Sequence, residues 1–67
     1  MDETLKAVIL QKWVEDYGVL TWDEAVARHG LDDVQSLVDE GLLESRFDKR
    51  LRVSSKGRQF LLEAQYR

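Results

Sequence analysis

Cysteine and proline are both absent from this 67-residue chain, and histidine occurs only once. Without cysteine there is no disulfide framework, no thiolate metal site and no cysteine nucleophile. Small secreted domains generally depend on disulfides, so we expect a cytoplasmic protein that is held together by packing. Without proline, a low-complexity segment or an internal repeat, nothing marks a linker, and we predict a single domain over residues 1–67.

Long apolar runs are also missing. The N-terminal sequence MDETLKAVILQKW begins with acids and has an apolar stretch of only a few residues. It therefore lacks the basic start and the long apolar region of a signal peptide. No stretch approaches the roughly 20 apolar residues that a transmembrane helix needs, so we expect no membrane partner.

The residue patterns of a catalytic site are absent as well. One histidine, no cysteine and glycines placed only at helix ends provide no nucleophile with its base, no metal cluster and no phosphate-binding loop. Carboxylates pair only as sequence neighbours, as at Asp32 and Asp33, and neighbours on a helix point about 100° apart. Such pairs do not converge on a substrate, so we predict a non-enzymatic protein without a metal or cofactor.

Charge is distributed unevenly along the chain, whose net charge is −3. Residues 1–45 contain eleven acids and three basic residues, whereas residues 46–67 contain two acids and seven basic residues. A short chain can segregate charge merely to solvate its helices. The alternative interpretation is that the C-terminal third faces an anionic partner.

Hydrophobic spacing and capping residues predict four helices. We expect them at residues 2–17, 22–28, 31–40 and from 54 or 55 to about 66. Thr21 and Glu24 have the spacing of a capping box, which is a fairly specific signal for a helix start. Gly18, Gly30 and Gly41 follow the first three helices, where glycine commonly ends a helix.

Apolar residues recur with helical spacing on three of these segments, and we expect them to form the core: Leu5, Val8, Ile9 and Trp13; Leu31, Val34, Leu37 and Val38; Phe60, Leu61 and Ala64. At least part of Trp22 is also assigned to the core, whereas joint exposure of Trp22 and Tyr17 would indicate a protein interface. His29 is assigned to the surface. Gly57 costs the last helix about 1 kcal/mol relative to alanine, which is tolerable if a side chain there would collide with a neighbouring element.

Residues 41–57, GLLESRFDKRLRVSSKG, predict a basic β-hairpin. Polar and apolar residues alternate on both sides of a charged tip at residues 48–50, as expected for two strands with one buried face. The dipeptide Val19-Leu20 is too short to be a strand alone, but it can pair with the edge of this hairpin.

The register of the hairpin depends on the length of its tip. A two-residue turn would mix the core and solvent faces, so we favour a three-residue tip. That tip pairs Phe47 with Leu51, Ser45 with Val53 and Arg46 with Arg52. The two arginines would repel each other mildly, and an anion bound between them would relieve the repulsion.

The order of these elements resembles a winged helix-turn-helix domain. Residues 20–25 (LTWDEA) look like the start of the family's second helix, and residues 37–43 (LVDEGLL) look like its exit from the third. Residues 51–58 (LRVSSKGR) look like its returning strand and the start of its last helix. The resemblance covers nearly the whole chain. It implies an α+β fold in which a three-helix bundle is followed by a C-terminal β-hairpin wing and a closing helix.

Residues 30–62 are also similar in pattern to the C-terminal domain of oxygen-independent coproporphyrinogen oxidases. Those enzymes hold an iron–sulfur cluster through cysteines in a separate domain. Because the present chain contains no cysteine, none of that chemistry carries over.

The winged-helix resemblance implies a DNA-associated protein of the transcription-regulator type. Winged helices usually insert their third helix into the major groove and rest the wing on the backbone or minor groove. Here the third helix carries acids and no lysine or arginine, and its charge would repel phosphates. We therefore expect the wing to be the main DNA contact, through Arg46, Lys49, Arg50, Arg52 and Lys56.

The alternative is a winged helix that binds a protein. In that case the acidic third helix would contact a basic partner through Asp32, Asp33, Gln35, Ser36 and Asp39. Neither hypothesis needs a cofactor. Both leave the partner, any DNA site and the oligomeric state open, with a homodimer as one option.

Overall fold

A computed structural model of the chain describes residues 2–46 and 49–65. Within them, four helices and a three-stranded antiparallel sheet form an α+β fold. The helices are α1 (Glu3–Lys12), which continues as a π-helical segment (Trp13–Tyr17), α2 (Trp22–His29), α3 (Leu31–Asp39) and α4 (Ser55–Gln65). The strands are β1 (Leu20–Thr21), β2 (Leu43–Ser45) and β3 (Arg50–Val53). None of these helices has the length and apolarity that crossing a bilayer requires.

The predicted helix boundaries agree closely with the structure. The Thr21 hydroxyl accepts a hydrogen bond from the backbone N–H of Glu24, and the Glu24 carboxylate accepts one from the backbone N–H of Thr21, both at 3.2 Å. The capping box is therefore confirmed. Gly30 is the one residue between α2 and α3, and its φ of 89° lies in the region that favours glycine.

The sheet brings the short extended segment after α1 onto the hairpin, as predicted. Its strand order is β1-β3-β2, so β3 is central. Leu20 lies opposite Leu51, and Thr21 lies opposite Arg50. The strand β1 is too short to stand alone, and pairing with β3 provides partners for the backbone groups on one of its edges.

The predicted hairpin register is wrong by two residues. The observed pairs are Leu43 with Val53, Glu44 with Arg52 and Ser45 with Leu51. Because strand side chains alternate with a period of two, this shift leaves the apolar side chains of both strands on the core face. It replaces the expected Arg46–Arg52 pair with the opposite charges of Glu44 and Arg52, which favour each other across a ladder.

The tip of the hairpin lies partly outside the described residues, since Phe47 and Asp48 are not among them. On its described side, the backbone N–H of Lys49 donates to the carbonyl of Arg46 at 2.9 Å. Lys49 has a φ of 59°. A lysine thus occupies the left-handed position for which hairpin tips usually use glycine.

The core lies between the helices and one face of the sheet. It contains Ile9, Leu10, Trp13, Leu20, Ala25, Val34, Leu37, Leu42, Leu43, Leu51, Val53 and Leu61. Trp13 is fully buried, and its indole N–H donates to the carbonyl of Leu51 at 3.2 Å. This bond satisfies the polar group of the buried ring and connects the end of the first helix to the central strand.

Three residues assigned to the core are exposed. Leu5, Val8 and Leu31 have exposed fractions of 43%, 58% and 54%. In α1, the buried residues are Ile9 and Leu10, so the helix packs through a face rotated away from the predicted one. Leu31 is the first residue of α3, and the burial of that helix begins one turn later.

Ser54 and Gly57 connect the end of α3, the hairpin and the start of α4. The Ser54 hydroxyl donates to the carbonyl of Gly41 and accepts from the backbone N–H of Gly57 at 3.0 Å. A Cβ on Gly57 would overlap the carbonyl oxygen of Leu42 and lie 2.8 Å from Cγ1 of Val53. The predicted reason for this glycine, a close neighbouring element, is confirmed.

Candidate nucleic-acid interface

The outer face of the sheet carries the arginines of the central strand. Leu51 and Val53 of β3 are buried against the core, and side chains alternate along a strand. Arg50 and Arg52 therefore project from the opposite face. Arg50 is exposed, whereas Arg52 is half-buried.

Three exposed cations lie at the tip of the hairpin, and we refer to Arg46, Lys49 and Arg50 as the tip cations. The guanidinium Nη2 of Arg46 lies 3.7 Å from Oε1 of Glu44, and the exposed fractions of the two side chains are 66% and 43%. An exposed pair at this distance is worth at most about 1 kcal/mol and is screened by salt. Arg46 can therefore exchange Glu44 for an external anion at little cost.

Arg52 occupies a different environment from the tip cations. It lies directly opposite Glu44 in the ladder between β2 and β3. A half-buried arginine that faces a carboxylate already has part of its charge offset within the protein. The expected anion site between Arg46 and Arg52 is therefore not formed.

Lys56 lies at the other end of the hairpin. Its Nζ is 3.9 Å, and its Cδ 3.6 Å, from the position that a Cβ would take on Gly41. It thus covers the exit from α3, where helix carbonyls carry partial negative charge. The four residues of β3 separate this point from the tip by roughly 13 Å, at about 3.3 Å per residue. The five predicted cations do not form one cluster.

Glu24 is a further acid near the tip. The backbone N–H and then the hydroxyl of Thr21 hold the pKa of Glu24 below its ordinary value, with smaller contributions from Arg28 and Arg50. Its carboxylate is therefore ionised at neutral pH and offsets part of the charge of Arg50. The strand pairing of Thr21 with Arg50, which the sequence did not predict, produces this proximity.

The surface of α3 is acidic, as predicted. Asp32, Gln35 and Asp39 are exposed, whereas Asp33 and Ser36 are half-buried. The Gln35 amide donates to Oδ1 of Asp39 at 2.9 Å.

At the exit from α3, Lys6 of α1 forms an ion pair of 2.5 Å with Glu40. Leu31 stands exposed at the other end of the acidic surface. Its exposure was missed because helical spacing alone does not show where a packing face begins.

No family model matches this chain, and neither a curated protein nor a solved structure matches it. The likeness to winged helices is therefore carried by the order of elements and by the motifs alone. Any function of the cationic tip must be argued from its own residues.

An aromatic cluster joins the first two helices on the core side of α2. The His29 ring stacks on Trp13 with a centroid distance of 5.7 Å, and it also lies 5.7 Å from the ring of Tyr17. The guanidinium of Arg28 lies over the ring of Tyr17, 5.0 Å from its centroid. His29, predicted at the surface, is instead half-buried, with its ring packed against Trp13 and Tyr17.

Burial changes the chemistry of this histidine. Its Nε2 is buried and has no hydrogen-bond partner among the described residues. Desolvation lowers the pKa of His29, Asp33 raises it, and Lys12 and Arg28 lower it further. Within the described residues, no group of three histidine or acidic side chains is placed to hold a metal ion.

Two half-buried aromatic side chains pack against the core. Tyr17 and Trp22 are half-buried and pack against it. The assignment of Trp13 and part of Trp22 to the core is confirmed, and the described surface shows no joint exposure of Tyr17 and Trp22.

Proposed function

We propose that this chain is a winged-helix module that associates with DNA through the tip of its wing. Two features support the winged-helix interpretation: the element order α1-β1-α2-α3-β2-β3-α4, and the pairing of β1 with the returning strand of the hairpin. In this proposal β2 and β3 form the wing. The role of DNA rests on the charge of that wing.

The observation that carries the proposal is the exposure of the tip cations in a protein with a net charge of −3. Each cation that neutralises a phosphate releases a counterion, so three contacts would give a slope of roughly −2.7 in log affinity against log salt. Backbone contacts alone do not read sequence. We therefore expect weak, salt-sensitive binding that depends little on sequence.

The acidic surface of α3 limits how the module can approach DNA. Asp32 and Asp39 are exposed there, and α3 has no lysine or arginine to offset them. Inserting this helix into a major groove would bring carboxylates close to phosphates, which repel them. In the proposed complex the wing tip meets the backbone while α3 stays outside the groove.

A fluorescence anisotropy titration against duplex DNA at about 50 to 200 mM salt tests the proposal. Replacing Arg46, Lys49 and Arg50 together by alanine should reduce affinity by roughly tenfold or more and should remove most of the salt slope. The matched control is the triple replacement Arg52, Lys56 and Arg58 to alanine, which changes the net charge equally away from the tip. We expect the control to retain most of the affinity.

Two results would contradict the proposal. One is an absence of binding at about 50 mM salt with micromolar protein. The other is an equal loss of affinity in the tip variant and its charge-matched control. That result would show that DNA affinity depends on the net charge of the protein and not on a contact at the tip.

A second candidate function is supported by the exposure of Leu31 beside the acids of α3. An apolar side chain rimmed by carboxylates suits a basic protein partner better than a polyphosphate. Replacing Asp32, Asp33 and Asp39 by lysine should then abolish capture of that partner, and Leu31→Ser should weaken it. Variants of the tip cations should retain it, which separates the two functions.

A further inference from the structure

An open groove runs along α1 and α4, away from the hairpin tip. Its volume is about 600 Å³, and its lining includes Val8, Gln11, Lys12, Glu15, Asp16 and Leu61. Two helices meet here side by side without a third element over them in the described part of the chain. The proposed nucleic-acid contact does not use this surface.

Apolar side chains line both walls of the groove, with Ala7 and Val8 on α1 and Leu61 and Ala64 on α4, and Leu5 lies beyond this lining. Val8 has an exposed fraction of 58%, and Leu5, one helical turn earlier, has 43%. Residues three apart on a helix are neighbours, so these two form a continuous apolar strip. Their spacing suggested core residues, and the structure leaves them without cover. Contiguous exposed apolar residues of this kind mark association surfaces.

The charges on the same wall have a specific order. Lys12 lies one turn before Glu15 and Asp16, and all three are exposed. The amide of Gln11 donates to Oε1 of Glu15 at 2.7 Å, which holds that carboxylate in place. One helix therefore presents a cation and, about 5 Å further along its axis, two carboxylates.

This order is complementary to itself under a two-fold rotation. In a symmetric dimer each residue of one copy contacts a residue of the other, and the reverse contact is made as well. When two copies of α1 pack antiparallel, Lys12 of each copy can meet Glu15 or Asp16 of the other. The same surface on each copy thus provides the lysine of one ion pair and the carboxylate of the other.

We propose that the groove between α1 and α4 is the interface of a homodimer, with α1 of the second copy packed antiparallel against it. A strongly acidic partner would be opposed by Glu15 and Asp16, and a strongly basic one by Lys12. A second copy pairs Lys12 of each chain with one of the two carboxylates, Glu15 or Asp16, of the other. The tip cations lie on other elements, so this inference stands independently of DNA binding.

Sedimentation velocity on the full chain, over roughly 5 to 500 µM, measures the association. The expected result is a reversible monomer–dimer equilibrium. Lys12→Glu should weaken it about tenfold or more, because acids then face acids at both symmetric positions. The double variant Glu15→Lys, Asp16→Lys should do the same through facing lysines. Mixing the two variants should restore a dimer that contains one copy of each.

The restored mixed dimer is the decisive result, because a merely structural role of Lys12 would not produce it. Leu62→Glu places a new charge on an exposed apolar residue of α4 that does not line the groove, and it should leave the association unchanged. Val8→Glu places a carboxylate one turn before Lys12, where it competes for that cation, and should weaken the association while the far-ultraviolet circular dichroism stays unchanged. A monomer throughout the concentration range, or variants that fail to complement each other, would overturn the proposal.

Discussion

Glu44 lies directly opposite Arg52 in the antiparallel ladder between β2 and β3. Opposite charges at these positions favour the observed register of the hairpin. The alternative register, two residues away, places Arg46 opposite Arg52 and buries the same apolar face. An opposite-charge pair in place of a like-charge pair favours the observed register by roughly 0.2 to 1 kcal/mol.

The first prediction concerns this pair. Replacing Glu44 by glutamine removes the carboxylate that faces Arg52 and lies near Arg46. We expect the free energy of unfolding to fall by up to about 1 kcal/mol, while affinity for duplex DNA rises at low salt. Chemical denaturation and the anisotropy titration measure the two effects. Glu63→Gln, which makes the same change on α4, is the control for net charge.

Gly57 provides the second prediction. Helix propensity alone would make Gly57→Ala stabilising by about 1 kcal/mol. The overlap of the new Cβ with the carbonyl of Leu42 should reverse this sign, giving a net loss of roughly 1 to 3 kcal/mol in unfolding free energy. Gln59→Ala, at an exposed position of the same helix, should change stability by less than about 0.5 kcal/mol. A stabilised Gly57→Ala would show that α4 does not pack this closely on the exit from α3.

The third prediction compares two adjacent serines, either of which could cap α4 on sequence grounds. Only the hydroxyl of Ser54 bonds Gly57 and Gly41 in the described structure. Ser54→Ala should cost about 1 to 2 kcal/mol, because a helix cap is lost together with a second hydrogen bond. Ser55→Ala should be nearly neutral. Thermal unfolding of both variants measures the difference, and equal effects would contradict the assigned cap.

His29 gives a prediction for the dependence of stability on pH. Its pKa is lowered in the folded state, so the unfolded chain binds the proton more readily. The neutral ring therefore makes its full contribution to the free energy of unfolding above about pH 6.5, the pKa of histidine in the unfolded chain. That contribution is lost as the pH falls from there toward the pKa of the folded state. We expect the unfolding free energy to decline on acidification through this window. The charged groups that act on the ring are Asp33, Lys12 and Arg28.

The variant His29→Phe keeps an aromatic ring beside Trp13 but cannot titrate. Its stability should be nearly flat between about pH 7 and pH 5, where the native protein declines. Glu24 provides a separate control: its pKa is lowered in the folded state, so its contribution is present above its unfolded value and is lost at more acidic pH. Glu24→Gln should therefore leave the decline near neutral pH unchanged. An unaltered decline in His29→Phe would assign the effect to another group.

The candidate site was only partly predictable from the sequence. The tip cations follow from a charged hairpin end, since side chains at a tip have no element to pack against. Only the structure shows that Arg52 and Lys56 do not belong to the same cluster as the tip cations. Arg52 is distinguished by the residue across the ladder, and Lys56 by its position over Gly41. In both cases the two residues are too far apart in the sequence for a local pattern to predict that they lie together.

Local signals in the sequence determined the secondary structure of this protein. Capping at Thr21 and the glycines after the helices act within a few residues, so the sequence contains the whole interaction. Tertiary packing decided the remaining features: the rotation of α1 that exposes Val8, the inward turn of His29 and the two-residue choice of register. In each of these cases several arrangements satisfy the same local pattern, and contacts between distant segments select one of them.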